Sequence, residues 1–196
     1  MISRPSARAR RSRPAVGRLL DAAVAILRDE GAAAVSVQRV ADIAGTSKGL
    51  VHYHFSDKDA LLTACTHQLT AQLVEDEAAA LTSSTPASAL DDLWAVLSRP
   101  AYRGRRRALL ALLTAPTERT RLVLRDSSAA RRDAAERTVD ALTRLLRFEV
   151  PLSRSALSMA FMSFADGLTL EPSGEMAAPH RQAYDAFWLA VLSLTG

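Results

Sequence analysis

The chain contains 196 residues, of which 48% are hydrophobic, and it carries a formal net charge of +4. This length and composition predict a soluble globular protein with one compact unit or two small ones. No membrane-spanning segment is expected, because the longest apolar runs, near Leu109 and Trp188, are far shorter than a bilayer is thick. A single cysteine, Cys65, excludes an intrachain disulfide and suits a reducing cytoplasm.

Positive charge is concentrated at the N-terminal end of the chain. Residues 1–60 hold ten Lys or Arg against six Asp or Glu, whereas residues 61–196 hold fifteen of each. A phosphate-binding surface needs such a local excess, because affinity for DNA grows with the number of phosphates that are neutralised. Both lysines of the chain, Lys48 and Lys58, lie in this region.

The first 14 residues contain five arginines and two prolines without apolar periodicity, which predicts a disordered basic arm over residues 1–14. Two interpretations stay open. The arm contacts phosphates or an A·T-rich minor groove, or it is a solubilising tail. No apolar signal-peptide segment follows it, so we expect a cytoplasmic, nucleoid-associated protein.

Three short helices are predicted between residues 15 and 60. Apolar spacing over Ala15–Asp29 predicts a first helix, which Gly31 ends. A second helix begins after Ser36 and is interrupted by Gly45, where the backbone can turn without a Cβ penalty. The third helix runs from about Ser47 to Tyr53. Two short helices joined by such a turn predict a helix-turn-helix domain over residues 15–60, whose second helix fits a DNA major groove.

The stretch AGTSKGLVHYHFSDKDALL, residues 44–62, resembles the signature of the TetR/AcrR family of bacterial transcription regulators. It joins AG, SKG, Tyr53 with Phe55, Lys58 and a leucine pair in one window. One departure is Thr46, where the family usually has an apolar residue. The resemblance implies an all-helical homodimer that binds a DNA operator and releases it, or changes its hold, when a small ligand occupies the C-terminal domain.

Nine residues of this region are candidates for contact with DNA. Lys48 can donate to guanine acceptors, and Gly49 permits a close approach of the backbone. Chemistry and the resemblance both favour phosphate contacts from Tyr53 and Lys58, against a packing role for Tyr53 and a solvated surface position for Lys58. The candidates for base reading are Ser47, Lys48, Gly49 and His52, and those for phosphate contact are Ser36, Thr46, Tyr53, His54 and Lys58.

Residues 61–196 are predicted to be helical, which makes the fold class all-α, and the resemblance makes this part an effector-binding and dimerisation domain. A helix leads into it that begins at Ser56, where S-x-x-D over Ser56–Asp59 predicts a capping-box-like start, and runs to about Leu81. Another helix is predicted from Tyr102 to Ala115. The long polar segment from Thr117 to Phe148 is expected to bend or break near Asp126. No segment alternates with a period of two, so no sheet is expected.

The last two helices, Ser153–Leu170 and His180–Leu194, are apolar on more than one face and must be covered on most sides. We expect an identical pair from a second subunit to cover them in a four-helix interface. Asp166 is expected to pair at this interface, to cap a turn around Gly167, or to meet a cationic ligand, in that order. The predicted interface residues are Phe161, Asp166, Leu168, Tyr184, Phe187, Trp188 and Val191.

A ligand pocket in the C-terminal domain is implied by the resemblance, and the sequence nominates only its wall. Large, adaptable apolar residues on different helices suit a small-molecule cavity, although each also suits an ordinary core. The candidates are Trp94, Leu97, Tyr102, Leu113, Met159 and Phe164.

Four arginines cluster at the start of one predicted helix, where they oppose the helix dipole. We expect a solvated face that pairs loosely with Glu75, Asp76 and Glu77, and the alternative is recognition of an anionic effector. The four are Arg103, Arg105, Arg106 and Arg107.

No metal, cofactor or catalytic site is predicted. His52 and His54 lie two residues apart on a helix and point to nearly opposite faces, so they cannot chelate one ion. No hydrolase, zinc-protease or phosphate-loop motif is present in the sequence. Cys65 lies on an apolar helix face and is expected to be packing, with a redox sensor as the alternative.

Together these features predict a ligand-responsive, sequence-specific DNA-binding regulator, most simply a repressor released from a pseudo-palindromic operator by a small-molecule effector. Its partners would be double-stranded DNA, a second copy of the chain and an unidentified effector. A non-specific architectural DNA-binding protein is the first alternative. A small helical enzyme is the second.

Overall fold

The computed structural model describes residues 15–170 and 178–194, and the basic arm predicted over residues 1–14 lies outside them. These residues form helices joined by turns and contain no strand, which confirms the all-α prediction. The helices are α1 (Ala15–Glu30), α2 (Val37–Ala44), α3 (Lys48–His54), α4 (Lys58–Ala80), α5 (Ala89–Leu97), α6 (Pro100–Thr114), α7 (Thr120–Leu146), α8 (Arg154–Gly167) and α9 (Ala178–Ser193), with a 3₁₀ turn at Ala32–Ala34. Of these helices, none combines the length and apolarity needed to cross a membrane.

Contacts divide the chain into two compact units. The first unit contains the described residues up to Gln68 together with Ala108–Leu124, and the second contains Leu69–Arg107 and the described residues from Arg125 onward. Helices α4, α6 and α7 therefore contribute residues to both units. The domain boundary expected after residue 60 stays a prediction, because units defined by contacts need not coincide with domains that fold or act independently.

Each helix of the first unit supplies apolar side chains to its core. Ile26 on α1, Val40 on α2 and Val51 on α3 are buried, as are Leu61 on α4 and Leu109 on α6. Full burial of one such side chain stabilises the fold by about 1.5–3 kcal/mol. Since α1 packs on α2 and α2 packs on α3, this core holds the seven residues of α3 at a fixed place on the surface of the unit.

The second unit has an aromatic cluster between α5, α8 and α9. The rings of Trp94 and Tyr184 lie 5.1 Å apart, and those of Phe161 and Trp188 lie 5.8 Å apart. The Tyr184 hydroxyl donates a hydrogen bond to the carbonyl oxygen of Leu90 at 2.8 Å. Both tryptophans of the chain therefore belong to this unit.

Helix α7 runs unbroken through the serines that were expected to bend it. Ser127 is buried, and its Oγ lies 2.6 Å from Oγ1 of Thr70 on α4. This bond satisfies a hydroxyl that would otherwise compete with the helix for backbone hydrogen bonds. The expected break near Asp126 is therefore wrong.

Candidate functional site

Two small residues bound helix α2: Ser36 caps its start, and Gly45 ends it and opens the turn to α3. The Ser36 Oγ accepts a hydrogen bond from the backbone N–H of Arg39 at 3.3 Å and so caps the start of α2. Gly45 ends α2 with φ 66° and ψ 46°, in the left-handed region where a Cβ would be strained. The Thr46 N–H donates to the Ala41 carbonyl at 2.9 Å, so the turn closes without help from outside the unit.

Helix α3 begins at a serine cap and turns most of its polar side chains outward. The Ser47 Oγ accepts from the Leu50 N–H at 3.2 Å, and Val51 anchors the inner face with no exposed surface. The outer face is exposed at residues Ser47, Lys48, Gly49, His52 and Tyr53. Among the large apolar or aromatic side chains that the structure exposes, Tyr53 is the most open at 81%. Such a face can enter a groove as it stands.

The residues that were predicted to contact phosphates lie around this face and differ in exposure and in hydrogen bonding. Ser36 is exposed, while Thr46, His54 and Lys58 are half-buried. The Lys58 Nζ donates to the carbonyl oxygen of Ala33 at 3.4 Å, and the Tyr53 ring meets His54 edge-on with centroids 5.0 Å apart. The Lys58 ammonium keeps two further donors, because an ammonium group has three. The six exposed and three half-buried candidates all belong to the first unit.

Gly49 is not required by the fold. A Cβ built on this residue would meet only the Ser47 Oγ, at 3.7 Å, which is an ordinary contact, and its φ lies outside the left-handed region. Glycine in a helix interior destabilises by roughly 0.5–1 kcal/mol relative to alanine. Its presence therefore fits a need outside the isolated chain, such as close approach of a DNA backbone.

The start of α4 is capped by a residue that the sequence pattern misassigned. Asp57, not Ser56, accepts from the Ala60 N–H, at 2.8 Å, and it also pairs with Arg119, which follows α6 in the first unit. The Ala60 N–H and then Arg119 hold the pKa of the Asp57 carboxyl below its usual value. The sequence signal for this cap was present, since Asp and Ser both favour the position.

The six residues that were predicted to line a ligand pocket differ in burial and in the unit to which they belong. Leu97 and Tyr102 are buried, Met159 is 53% exposed, and Leu113 belongs to the first unit whereas the other five belong to the second. Trp94 and Phe164 are half-buried and both lie against Tyr184, at 5.1 and 6.4 Å. Three cavities in the second unit have other linings: 190 Å³ between α4 and α7, 430 Å³ at the junction of α7 and α8, and 300 Å³ between the end of α4 and α5.

The arginine cluster on α6 is partly internal, so the expected solvated face is wrong for two of its members. Arg103 and Arg106 are buried. The Arg106 Nη1 donates to the Tyr102 hydroxyl at 2.6 Å and to the Glu77 Oε1 at 3.2 Å. Burial raises the pKa of the Tyr102 hydroxyl, which stays protonated and donates to the same Glu77 oxygen at 2.5 Å. Arg106 is therefore neutralised within the chain and is not available to an anionic effector.

Asp166 completes this internal network. Its Oδ1 accepts from the Arg106 Nη2 at 2.6 Å and from the Arg131 Nη2 at 2.8 Å. Pairing at a dimer interface, the first expectation for Asp166, is therefore not what this oxygen does. Glu77, Arg106, Arg131 and Asp166, together with Tyr102, form what we call the buried ion network.

The predicted interface residues divide by burial. Five of the seven are covered within their own chain, namely Phe161, Leu168, Tyr184, Trp188 and Val191. Phe187 is half-buried and stacks on Phe164 with ring centroids 4.9 Å apart. A second subunit is therefore not needed to cover most of this set. Most exposed positions on the same two helices carry small or apolar residues, which include Met159, Ala160, Ser163, Ala186, Leu189 and Ala190.

Metal binding finds no support in the described residues, among which no group of three or more His, Cys, Asp or Glu side chains is placed to hold an ion. Cys65 is fully buried in the first unit. Burial raises the pKa of its thiol to about 12. A thiol in this state is poorly suited to sensing oxidants, because the thiolate is the reactive form.

Comparison with known proteins places residues 19–65 in the family described as "Bacterial regulatory proteins, tetR family". The HTH-type transcriptional regulator BetI of Rhizobium meliloti (strain 1021) is 38% identical over 69 residues, which are 35% of this chain and 34% of that protein. The chain thus matches about a third of the length of this relative. The segment that matches the family, residues 19–65, contains α2 and α3 with their caps and turn.

Solved structures resemble nearly the whole chain. The fatty acid degradation regulator FadR from Bacillus halodurans has a TM-score of 0.73 at 16% identity, covering 90% of this chain and 95% of that one. A TetR transcription regulator from Haloarcula marismortui ATCC 43049 has a TM-score of 0.69 at 20% identity, covering 93% and 98%. At these identities the likeness establishes the fold, with a helix-turn-helix at its N-terminal end.

Proposed function

We propose that this chain, whose residues 19–65 match the tetR family of bacterial regulatory proteins, is a homodimeric repressor of that family. It binds a pseudo-palindromic DNA site in the cytoplasm and leaves it when a small effector binds. The observation that carries the proposal is the outward face of α3, where Ser47, Lys48, Gly49, His52 and Tyr53 are exposed. An exposed, capped helix of this width fits a B-DNA major groove.

We assign different tasks to the residues around this face. Lys48 and His52, one turn apart, read base edges together with Ser47, whose oxygen already accepts the cap bond and whose hydroxyl hydrogen is left to donate. Gly49 lets the DNA backbone approach. Phosphates are held by Tyr53 and Lys58, and more weakly by Ser36, Thr46 and His54, whose hydroxyl and imidazole groups position a protein on DNA without reading sequence.

The dimer is proposed to form through α8 and α9. The exposed residues on these helices are mostly small or apolar, and Met159 and Leu189 are 53% and 67% exposed. Small residues let helices approach closely, and large apolar ones gain most from burial. Two copies related by a two-fold axis would present two α3 helices to successive major grooves, roughly one helical turn apart.

The effector is proposed to act by population shift. A ligand that binds the DNA-free conformation more tightly moves the equilibrium towards it, and a switch from 1:99 to 99:1 needs a differential of about 5.5 kcal/mol. Helix α4 contributes residues to both units. We therefore assign to α4 the coupling between effector and DNA.

Fluorescence anisotropy with duplexes from the DNA flanking the gene tests the proposal. Specific binding should exceed binding to random duplex by about 10³-fold or more at physiological salt. Replacing Lys48 with Ala should lower specificity by about 1–3 kcal/mol, whereas Lys58→Ala should weaken binding to every sequence alike. Equal affinity for all duplexes would instead identify the architectural DNA-binding protein, whose binding depends on salt in the same way at every sequence.

An enzyme has no comparable support. The relatives reported above are named as regulators. The Tyr102 hydroxyl, which lies beside the Glu77 carboxylate, is buried and is already hydrogen-bonded to Arg106. An enzyme would have to turn over a substrate without any of the motifs that its chemistry requires.

Sedimentation measurements on matched variants test the dimer. Leu189→Glu places a charge on the proposed interface and should give monomers. Leu122→Glu places the same charge on an equally exposed leucine of α7, 68% against 67%, and should leave the dimer intact. A dimer that survives Leu189→Glu would remove α9 from the interface.

A further inference from the structure

The 190 Å³ cavity between α4 and α7, which we call the α4–α7 cavity, has an apolar wall and a polar floor. Its wall is formed by Val74, Leu81 and the alanines at 78, 134 and 141. Its floor contains Glu77 and Thr138, which are 5% and 4% exposed, and its rim contains the exposed Arg137. All of these residues belong to the second unit.

The two polar residues of the floor, Glu77 and Thr138, can each form further hydrogen bonds. The bonds that Glu77 receives from Tyr102 and Arg106 both end on Oε1. Among the described residues, none donates to the Glu77 Oε2 and none bonds the Thr138 hydroxyl. A ligand that hydrogen-bonds both groups gains affinity over one that can bond neither, and a hydrogen bond to a charged group such as the Glu77 carboxylate is the stronger kind. The floor therefore offers one acceptor and one hydroxyl to whatever enters the cavity.

The charges around the floor favour a neutral ligand. Arg106 and Arg131 balance Glu77 and Asp166 within the buried ion network. A ligand carboxylate would meet the Glu77 carboxylate, and a ligand ammonium would add a positive charge to a balanced group with Arg137 at its rim. Either charge would also lose its own hydration on burial.

The volume favours a molecule with one ring. A cavity of about 150 Å³ lined by apolar side chains binds benzene in another protein, and the α4–α7 cavity is slightly larger at 190 Å³. A ring with one hydroxyl group fits this space.

We propose that the α4–α7 cavity binds neutral one-ring phenols and that these are the effector class of the regulator, which rests on the function proposed above. The ring packs against Val74, Leu81 and Ala134, the ligand hydroxyl donates to the Glu77 Oε2, and it accepts from the Thr138 hydroxyl. Phenol is uncharged at neutral pH, as the tyrosine side chain is.

Calorimetric titration of the full-length protein with four one-ring probes tests this assignment. Phenol should bind once per chain and about tenfold more tightly than toluene, which lacks the hydroxyl. Benzoate and benzylammonium should bind more weakly than phenol. A preference for either charged probe, or equal affinity for toluene and phenol, would overturn the proposal.

Matched variants locate the binding site. Ala78→Leu places a larger side chain at an exposed residue of the wall of the α4–α7 cavity, and it should abolish phenol binding. Ala95→Leu makes the same change at an exposed alanine that lines the 300 Å³ cavity instead, and should leave phenol binding unchanged. Thr138→Val should reduce the affinity for phenol towards that for toluene. Circular dichroism confirms that each variant is folded, and unchanged binding in Ala78→Leu would place the phenol elsewhere.

Anisotropy with operator DNA separates this proposal from the function on which it rests. Saturating phenol should lower DNA affinity at least tenfold in the wild type and in Ala95→Leu, and should have no effect in Ala78→Leu. Tight DNA binding without any phenol binding would overturn the cavity assignment and leave the regulator standing. Phenol binding that leaves DNA affinity unchanged would overturn the effector role.

Discussion

The buried side chains of the first unit are uncharged, whereas the second unit buries Glu77, Arg103, Arg106 and Arg131. Buried polar side chains described in the first unit are limited to Thr66 and Thr120. The unit that carries the proposed DNA-reading face thus keeps its charges at the surface, where they can meet phosphates. The unit proposed to bind effector keeps charges inside, where hydrogen bonds fix their positions and where a ligand can alter them. Dry packing suits a rigid reading head, and a polar interior suits discrimination among small molecules.

The reactivity of Cys65 should show how dry the first unit is. Burial raises the pKa of the Cys65 thiol to about 12, whereas a free thiol has a pKa of about 8.5. At pH 8 the thiolate population of Cys65 in the native protein should therefore be at least about a thousandfold smaller than that of a free thiol. Alkylation by iodoacetamide, followed by mass spectrometry, should accordingly be at least a thousandfold slower than in urea-unfolded protein. Fast alkylation of the native protein would contradict a sealed core and revive the redox-sensor alternative.

The raised pKa of Cys65 also determines whether it makes the protein more or less stable as pH rises. Because the folded-state pKa is raised, the contribution of Cys65 is fully present below the unfolded-state pKa of about 8.5 and is lost as pH rises towards about 12. Stability should fall by at most about 1.4 kcal/mol per pH unit in that window. Between about pH 8.5 and about 10, where ordinary tyrosines are still protonated, denaturant titrations should show this slope in the wild type and a smaller one in Cys65→Ala.

Removing one acid from the buried ion network should be the largest single perturbation of the second unit. Glu77→Ala leaves Arg106 without one of its carboxylates in a buried site, and breaking a buried pair costs about 3–5 kcal/mol. Asp76→Ala on the same helix removes a half-exposed partner of Arg105 and should cost about 0–1 kcal/mol. Urea unfolding curves measure both, and equal losses would show that the network is more solvated than its burial indicates.

The two glycines of the helix-turn-helix should respond to alanine with opposite signs. Gly45→Ala forces a Cβ into the left-handed region and should destabilise by about 1–2 kcal/mol. Gly49→Ala meets no clash and should stabilise by roughly 0.5–1 kcal/mol while weakening DNA binding. Thermal unfolding together with DNA titration separates the two effects. A Gly49→Ala protein that binds DNA as the wild type does would remove this glycine from the interface.

Sequence alone predicted helices α1, α2 and α3 well because their signals are local. Ser36, Gly45 and Ser47 act on residues within four positions of themselves, so their caps and turn can be derived from spacing. The exposed and buried faces of α3 follow from the helical period. Even here the choice between Ser56 and Asp57 as a cap was missed, since neighbouring residues of similar chemistry compete for one backbone N–H.

The interior of the second unit could not be derived in this way. Arg106 pairs with Glu77 across 29 positions and with Asp166 across 60. No pattern within one helix shows which of four adjacent arginines faces inward, because tertiary packing decides it. Likewise, the hydroxyl of Ser127 meets Thr70, 57 positions away, and α7 continues through this residue without a break.

Both indole rings of the chain, at Trp94 and Trp188, belong to the second unit, and the first unit has none. Fluorescence that is excited at the red edge of tryptophan absorption therefore comes from the second unit and not from the first. Quenching or a spectral shift on adding a small molecule would report a change around Trp94 or Trp188 in the second unit, even with DNA in the cuvette. Tryptophan fluorescence of the unlabelled protein can thus be used to follow binding of the proposed effector. A fluorophore on the duplex can be used to follow binding of DNA.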